Sequence, residues 1–336
     1  MRFSNSTLPH SIWLWKILRR GLISKKSMFN LIFQYRVLRI AFVIPFVIAH
    51  SPSTAQSLVS DAITSQSDLT TTKLALDKLV DPSIDEAAVR RELDLLAAQA
   101  RTVAGANATD EQKINAVRRV IYKAGPWNDN RPFTYDHDDP LGLNVQNKLL
   151  STYLRTRRGN CVSMPTLFLI LADRLDLNVS FGTAPLHVFI RYTDPRGRAF
   201  SIETTSGANL AQPEWYRQNL PMTDRAIETG LYMRTLTRRE TVAHMASTVM
   251  EARLNGGKFQ DAIDIGTAIL KQFPRDGYTL IKRGHAHGEL LRVECIERFP
   301  SRNAMPPEVR TRCDSLAKQN DEDFGMAEAM GWTPAK

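Results

Sequence analysis

Residues 162–175, Val-Ser-Met-Pro-Thr-Leu-Phe-Leu-Ile-Leu-Ala-Asp-Arg-Leu, constrain this chain more than any other stretch. They are apolar on nearly every face at helical spacing, and such a helix is stable only when other elements cover it all round. Pro165 is tolerated where the first amides of a helix lack internal partners, which sets the helix start near Asn160 to Val162. Cys161 therefore opens the helix, where the partial positive charge of the N-terminus favours a thiolate.

Strands follow. Residues 178–183 and 186–192 alternate, Asp194-Pro195-Arg196-Gly197 makes a turn, and residues 199–204 form the next strand. A hairpin centred on Pro195 opposes positions whose numbers sum to about 390, which sets His187 across from Glu203 with Cβ atoms about 5 Å apart. A slip of one residue would send them to opposite faces. Upstream, residues 68–124 read as helices, with Ser83 and Glu86, and Thr109 and Gln112, spaced as capping boxes. Ile114, Val117, Val120 and Ile121 share one apolar face, and a helix resumes over residues 147–156 with Leu149, Leu150, Tyr153 and Leu154 inward. The fold class is α+β: a helical lead-in, then a buried Cys-bearing helix packed on a small antiparallel sheet.

Cys161, His187 and Glu203 occur in the order that thiol chemistry requires. A free thiol, with a pKa of about 8.5, is mostly protonated at neutral pH and needs an imidazole to take its proton and a third group to orient that imidazole. Each residue alone has an ordinary reading: a small core thiol, a satisfied core histidine, a strand-end carboxylate. Their joint order, spacing and placement argue for a site. Between the helices, residues 125–145 form a long loop containing Asp136, His137, Asp138 and Asp139. Those side chains suit a divalent ion, yet their spacing matches neither the EF-hand nor a zinc motif, and an exposed acidic turn is expected.

Gly159-Asn160-Cys161-Val162-Ser163, Leu186-His187-Val188-Phe189-Ile190-Arg191 and Ile202-Glu203-Thr204-Thr205-Ser206-Gly207 resemble the transglutaminase-like superfamily of papain-like cysteine enzymes. More closely, the chain is similar over roughly residues 68–290 to a bacterial branch in which tetratricopeptide-like helices follow the strands. The wider superfamily usually has Asp followed by Pro-Thr as its third member; here Glu203 precedes Thr204-Thr205. The resemblance implies attack of Cys161 on an amide carbonyl, with His187 as proton carrier and Glu203 holding its tautomer. The oxyanion would meet the Cys161 amide, with Asn160 or Trp127 as side-chain donors. Water as acceptor makes an amidase or peptidase acting on peptide or protein; an amine makes cross-links. Neither needs a cofactor. Some members of the branch lack the cysteine, so a non-catalytic scaffold that binds a protein partner or peptide through the C-terminal helices is the other reading.

The first 55 residues hold eight basic side chains and no acid, then an apolar centre from Ile40 to Ala49 and Ser53-Thr54-Ala55. This is the layout of a secretory signal cleaved after Ala55, with Met28 as an alternative start; a mitochondrial presequence or an uncleaved anchor are the alternatives. The apolar centre is shorter than the roughly 20 residues a membrane span needs, so no stable span remains after cleavage. Subtracting those eight positives from 44 basic and 35 acidic residues leaves 36 against 35, or +1 rather than +9, which excludes a nucleic-acid-binding field. Of three cysteines, Cys295 and Cys313 either pair in an oxidising compartment, leaving Cys161 free, or are two buried helix thiols; no metal-ligand spacing occurs. Helices over residues 241–254, 258–273 and 276–291, broken by Asn255-Gly256-Gly257 and Pro274, follow a partial tetratricopeptide pattern, with a further helix over residues 308–329. The expected organisation is 1–55 targeting signal, 56–232 transglutaminase-like domain and 233–336 helical repeat domain.

Overall fold

The computed structural model describes residues 54–334. The expected targeting signal lies outside the described residues, apart from Thr54 and Ala55 in the first turn of helix α1 (Thr54–Thr64). No helix among the described residues is long and apolar enough to cross a membrane.

Helices α2 (Leu69–Val80), α3 (Glu86–Ala104) and α4 (Asp110–Tyr122) form the lead-in. The Thr109–Gln112 capping box is present in both directions. At α3 the expected box is replaced: Asp85 caps by accepting from Ala88 N–H, and the Ser83 hydroxyl instead donates to Asp81. Aspartate one residue before the helix outcompetes a serine three residues before it, because its carboxylate also complements the helix dipole.

Helix α5 (Leu150–Thr156) begins three residues later than its apolar pattern suggests. Asn144 caps a 3-10 turn over Val145–Lys148, and the Leu150 N–H then donates to the buried Asp77 carboxylate at 2.9 Å. A charge from α2 thus sets the start of α5, which no local rule could supply. Helix α6 (Ser163–Asp173) is the buried centre, every side chain from Ser163 to Ala172 being inaccessible. Its start follows the expectation from Pro165.

Two short strands, β1 (Thr134–Tyr135) and β2 (Arg158–Gly159), pair in parallel and fasten the long loop to the residues just before Cys161. Gly159 is required there, since a Cβ would lie 2.4 Å from the Tyr153 ring. The main sheet is antiparallel in the order β3 (Val179–Ala184), β4 (His187–Thr193), β5 (Ala199–Glu203) and β6 (Asn209–Ala211). Ile190 faces Ile202 and Thr193 faces Ala199, so paired numbers sum to 392. The turn is centred on Arg196, one residue later than expected, because the Asp194 carboxylate accepts from the N–H groups of both Arg196 and Arg198. The two-unit difference keeps parity, so His187 and Glu203 still share a face and meet as diagonal neighbours.

β3 and β4 are joined by only Pro185 and Leu186, and Leu186 has the left-handed φ of 55°. For a residue other than Gly or Asn this backbone costs about 1–2 kcal/mol.

After α7 (Pro213–Asn219) and α8 (Asp224–Glu228), the long helices α9 (Arg238–Asn255), α10 (Phe259–Gln272), α11 (Gly277–Leu291) and α12 (Pro307–Ala329) each pack on the next. α1 returns to pack on α9 and α10. One apolar cluster runs from Val59 and Ile63 through Leu167 and Ile190 to Ile265 and Leu290. Cys295 and Cys313 form a disulfide, and Cys161 is free.

Candidate active site

The site is assembled from the loop between α6 and its preceding strand, the start of β4 and the end of β5. Asn160 ends the Cys segment and is fully buried. Its Oδ1 accepts from the N–H groups of Val162 and Ser163 at 3.0 and 3.1 Å, and its own N–H donates to the Ser163 hydroxyl. Asn160 is thus the side-chain cap of α6, and this reciprocal pair fixes where Cys161 sits. Its Nδ2 donates to the Asn147 carbonyl at 3.1 Å, which engages the amide expected to serve an oxyanion.

Trp127, the other expected oxyanion donor, is engaged as well. Its indole N–H donates to the Lys123 carbonyl at 2.9 Å and its ring carries the Arg119 guanidinium at 4.5 Å. The single indole N–H of Trp127 is thus engaged, whereas Asn160 Nδ2 uses one of its two N–H groups on Asn147. The Cys161 N–H rests against the Pro140 carbonyl at 3.5 Å, a long and weak contact.

Cys161 is 5% exposed, its thiol donates to the Leu186 carbonyl at 3.6 Å, and it is close enough to His187 to raise the pKa of that ring. His187 Nε2–H donates to Glu203 Oε2 at 2.7 Å, which leaves Nδ1 as the nitrogen available to exchange a proton. The carboxylate is saturated. Its Oε1 accepts from Thr205 N–H at 2.9 Å and from the Thr205 hydroxyl at 2.6 Å, while Oε2 also takes the Tyr216 hydroxyl at 3.1 Å. Glu203, His187 and Cys161, placed apart in sequence, are brought together.

Burial works to lower the pKa of His187, and the hydrogen bonds to Cys161 and Glu203 outweigh it, pushing the ring up to about 9. Burial works to raise Glu203, and the bonds from His187 and Thr205 hold it below the usual carboxylate range. Burial and the Glu203 charge push Tyr216 well above an ordinary phenol, so it stays a proton donor. Because the folded His187 pKa exceeds its ordinary 6.5, its stabilisation is complete below about pH 6.5 and declines as pH rises through about 9. The urea midpoint of the wild type should therefore fall between pH 6.5 and 9 relative to that of His187→Gln; parallel curves for the two would contradict the assignment.

Sequence reasoning missed Tyr216, Thr205 and Tyr135. Tyr216 lies in α7, stacks on Phe189 at 4.4 Å between centroids, and lies beside His187. Pro213 at the first turn of a short helix was the available signal for its element, but not for its contact. Thr205 follows Glu203 by two residues, the spacing at which a carboxylate caps its own turn. Tyr135, on β1, donates to the Pro140 carbonyl at 3.3 Å. Burial, then the charges of Cys161, Glu203, Asp136 and Asp139, push its pKa up to about 12.

The acidic loop is in part the exposed turn expected of it: His137 and Asp138 are exposed, while Asp136 is buried and Asp139 half-buried. Asp136 and Asp138 both bind Arg158 at 2.6 Å, and Asp139 takes the Asn147 side chain at 2.8 Å and the Leu143 N–H at 2.7 Å. These carboxylates brace the segment that crosses Cys161. Among the described residues no group of three or more His, Cys, Asp or Glu side chains is placed to hold a metal ion.

A thiol at the opening of a buried helix, beside an imidazole held by a carboxylate from the next strand, resembles the papain-like class of thiol folds. Residues 87–246 match the model of the transglutaminase-like superfamily, and they form a transglutaminase-like α+β domain. A UPF0162 protein of Buchnera aphidicola subsp. Acyrthosiphon pisum (strain APS) is 25% identical over 145 residues, 42% of this chain and 53% of that protein. The chain spans about half the length of this curated relative. No solved structure matches the chain.

Proposed function

We propose that this protein is an exported thiol enzyme that acts on amide bonds through a Cys161–His187–Glu203 acyl-enzyme mechanism. The observation that carries the reading is the His187 ring, bonded to Glu203 at 2.7 Å and preceded by Leu186, whose carbonyl accepts from the Cys161 thiol at 3.6 Å. In the first half-reaction the Cys161 sulfur, its proton taken by His187, attacks the amide carbonyl carbon and a C–S bond forms. His187 then delivers that proton to the departing amine as the C–N bond breaks, leaving a thioester. Water or an amine next attacks the thioester, gives a proton to His187, and expels the sulfur. The Cys161 N–H is the donor nearest the developing oxyanion once it leaves the Pro140 carbonyl.

Export is supported by the basic, acid-free front of the chain and by the Cys295–Cys313 disulfide, which suits an oxidising compartment. Helices α9 to α12, with Gly256 and Gly257 between the first two, support a tetratricopeptide-like unit that binds a protein partner or peptide.

One observation favours a non-catalytic scaffold instead: Cys161 is buried, only 5% of the residue being exposed. Iodoacetamide labelling separates the two. An enzyme requires Cys161 to alkylate at least about tenfold faster than a model thiol at pH 7, and Cys161→Ala to fail to complement a deletion. Labelling no faster than the model thiol, with full complementation by the alanine variant, overturns the enzyme reading.

A further inference from the structure

Leu186 is 61% exposed, its backbone is left-handed, and its own carbonyl lies 3.6 Å from the Cys161 sulfur. A carbonyl oxygen is within about 3 Å of its residue's Cβ, so this side chain starts within roughly 7 Å of the sulfur. Glycine or asparagine would occupy this two-residue turn without strain, and a polar residue would suit its exposure. Packing does not explain the leucine, because most of its surface faces solvent. Leu186 is thus an exposed leucine whose own backbone carbonyl adjoins the one free thiol of the described residues.

We infer that Leu186 selects an acyl donor whose carbonyl-bearing residue carries an apolar side chain. The inference rests on the acyl-enzyme reading above and adds its substrate class. An apolar side chain seated on Leu186 removes both from water and holds its carbonyl next to the sulfur, so the strained turn is retained for what it presents. Leu186 acts on specificity and takes no part in proton transfer.

The test uses two dipeptidyl chloromethyl ketones, ending in leucine or in glutamate, in which the Cys161 sulfur displaces chloride to form a thioether. Each rate is divided by that protein's own iodoacetamide rate, a reagent with no side chain to recognise. The wild type is expected to favour the leucyl probe by about ten- to a hundredfold, seen mainly in the half-saturating concentration. Leu186→Asn, which accepts the left-handed backbone, should bring the ratio near one without lowering the melting temperature, and Leu186→Met should retain it. Equal rates in the wild type, or an unchanged preference in Leu186→Asn, overturn the inference while iodoacetamide labelling leaves the thiol chemistry intact. Failure of Cys161 to react with iodoacetamide overturns the acyl-enzyme reading, and this inference with it.

Discussion

Glu203→Gln should slow iodoacetamide labelling of Cys161 by at least about a hundredfold, although the side chain changes by one atom. The reason lies in which donors can turn. The Thr205 N–H is fixed by the backbone and needs an oxygen in front of it, whereas the Tyr216 hydroxyl can rotate to accept. A glutamine therefore keeps its oxygen toward Thr205 and turns its NH2 to His187 Nε2. That nitrogen must then accept, the ring proton moves to Nδ1, and no lone pair is left there to take a proton. The ring can no longer take the proton of Cys161. Melting temperature should change far less than labelling, since every group keeps a partner. Normal labelling in the glutamine variant would show that Glu203 does not set the tautomer.

Glu251→Ala should be the most damaging change outside the site, costing about 3–5 kcal/mol of unfolding free energy in urea. Glu251 is buried on α9, bonds to the equally buried Lys148 ahead of α5, and has the Lys282 ammonium 3.7 Å away. Burial works to raise its pKa, but Lys282 and Lys148 hold it ionised and below the usual carboxylate range. Removing the carboxylate leaves the Lys148 ammonium in the interior without its counter-charge. The Lys148→Met/Glu251→Leu double variant, which removes both charges, should recover most of the loss. If the single and double variants are equally unstable, the cost comes from lost packing and not from an orphaned charge.

The chain reveals its chemistry more readily than its shape. Cys161, Pro165 and the apolar run after them announce a buried helix with a thiol at its start, because these are local facts of propensity and pattern. His187 and Glu203 were legible through period-two alternation, and the hairpin error did no harm because it was even. What local reasoning could not supply came from distant partners. Asp77 sets the start of α5 from 73 residues away, and Tyr216 reaches Glu203 from a separate short helix. Asn160 and Trp127 have the right donors for an oxyanion, but whether a donor is free depends on neighbours that no spacing rule contains. The Asp136 to Asp139 run reads as solvated by composition, and only the fold brings Arg158 to it.

The docking of α1 on α9 and α10 sets an order of events during synthesis. Val59 and Ile63 find their burial against helices made roughly 200 residues later, which at ordinary elongation rates is on the order of 10–40 s. Throughout that interval the apolar side of α1 has only its neighbour α2 to cover part of it. Closure of the molecule is therefore a late and long-range step, and contacts of such high sequence separation slow folding. A nascent chain stalled before α10 leaves that hydrophobic stripe open to chaperones, or to the same stripe on a neighbouring chain.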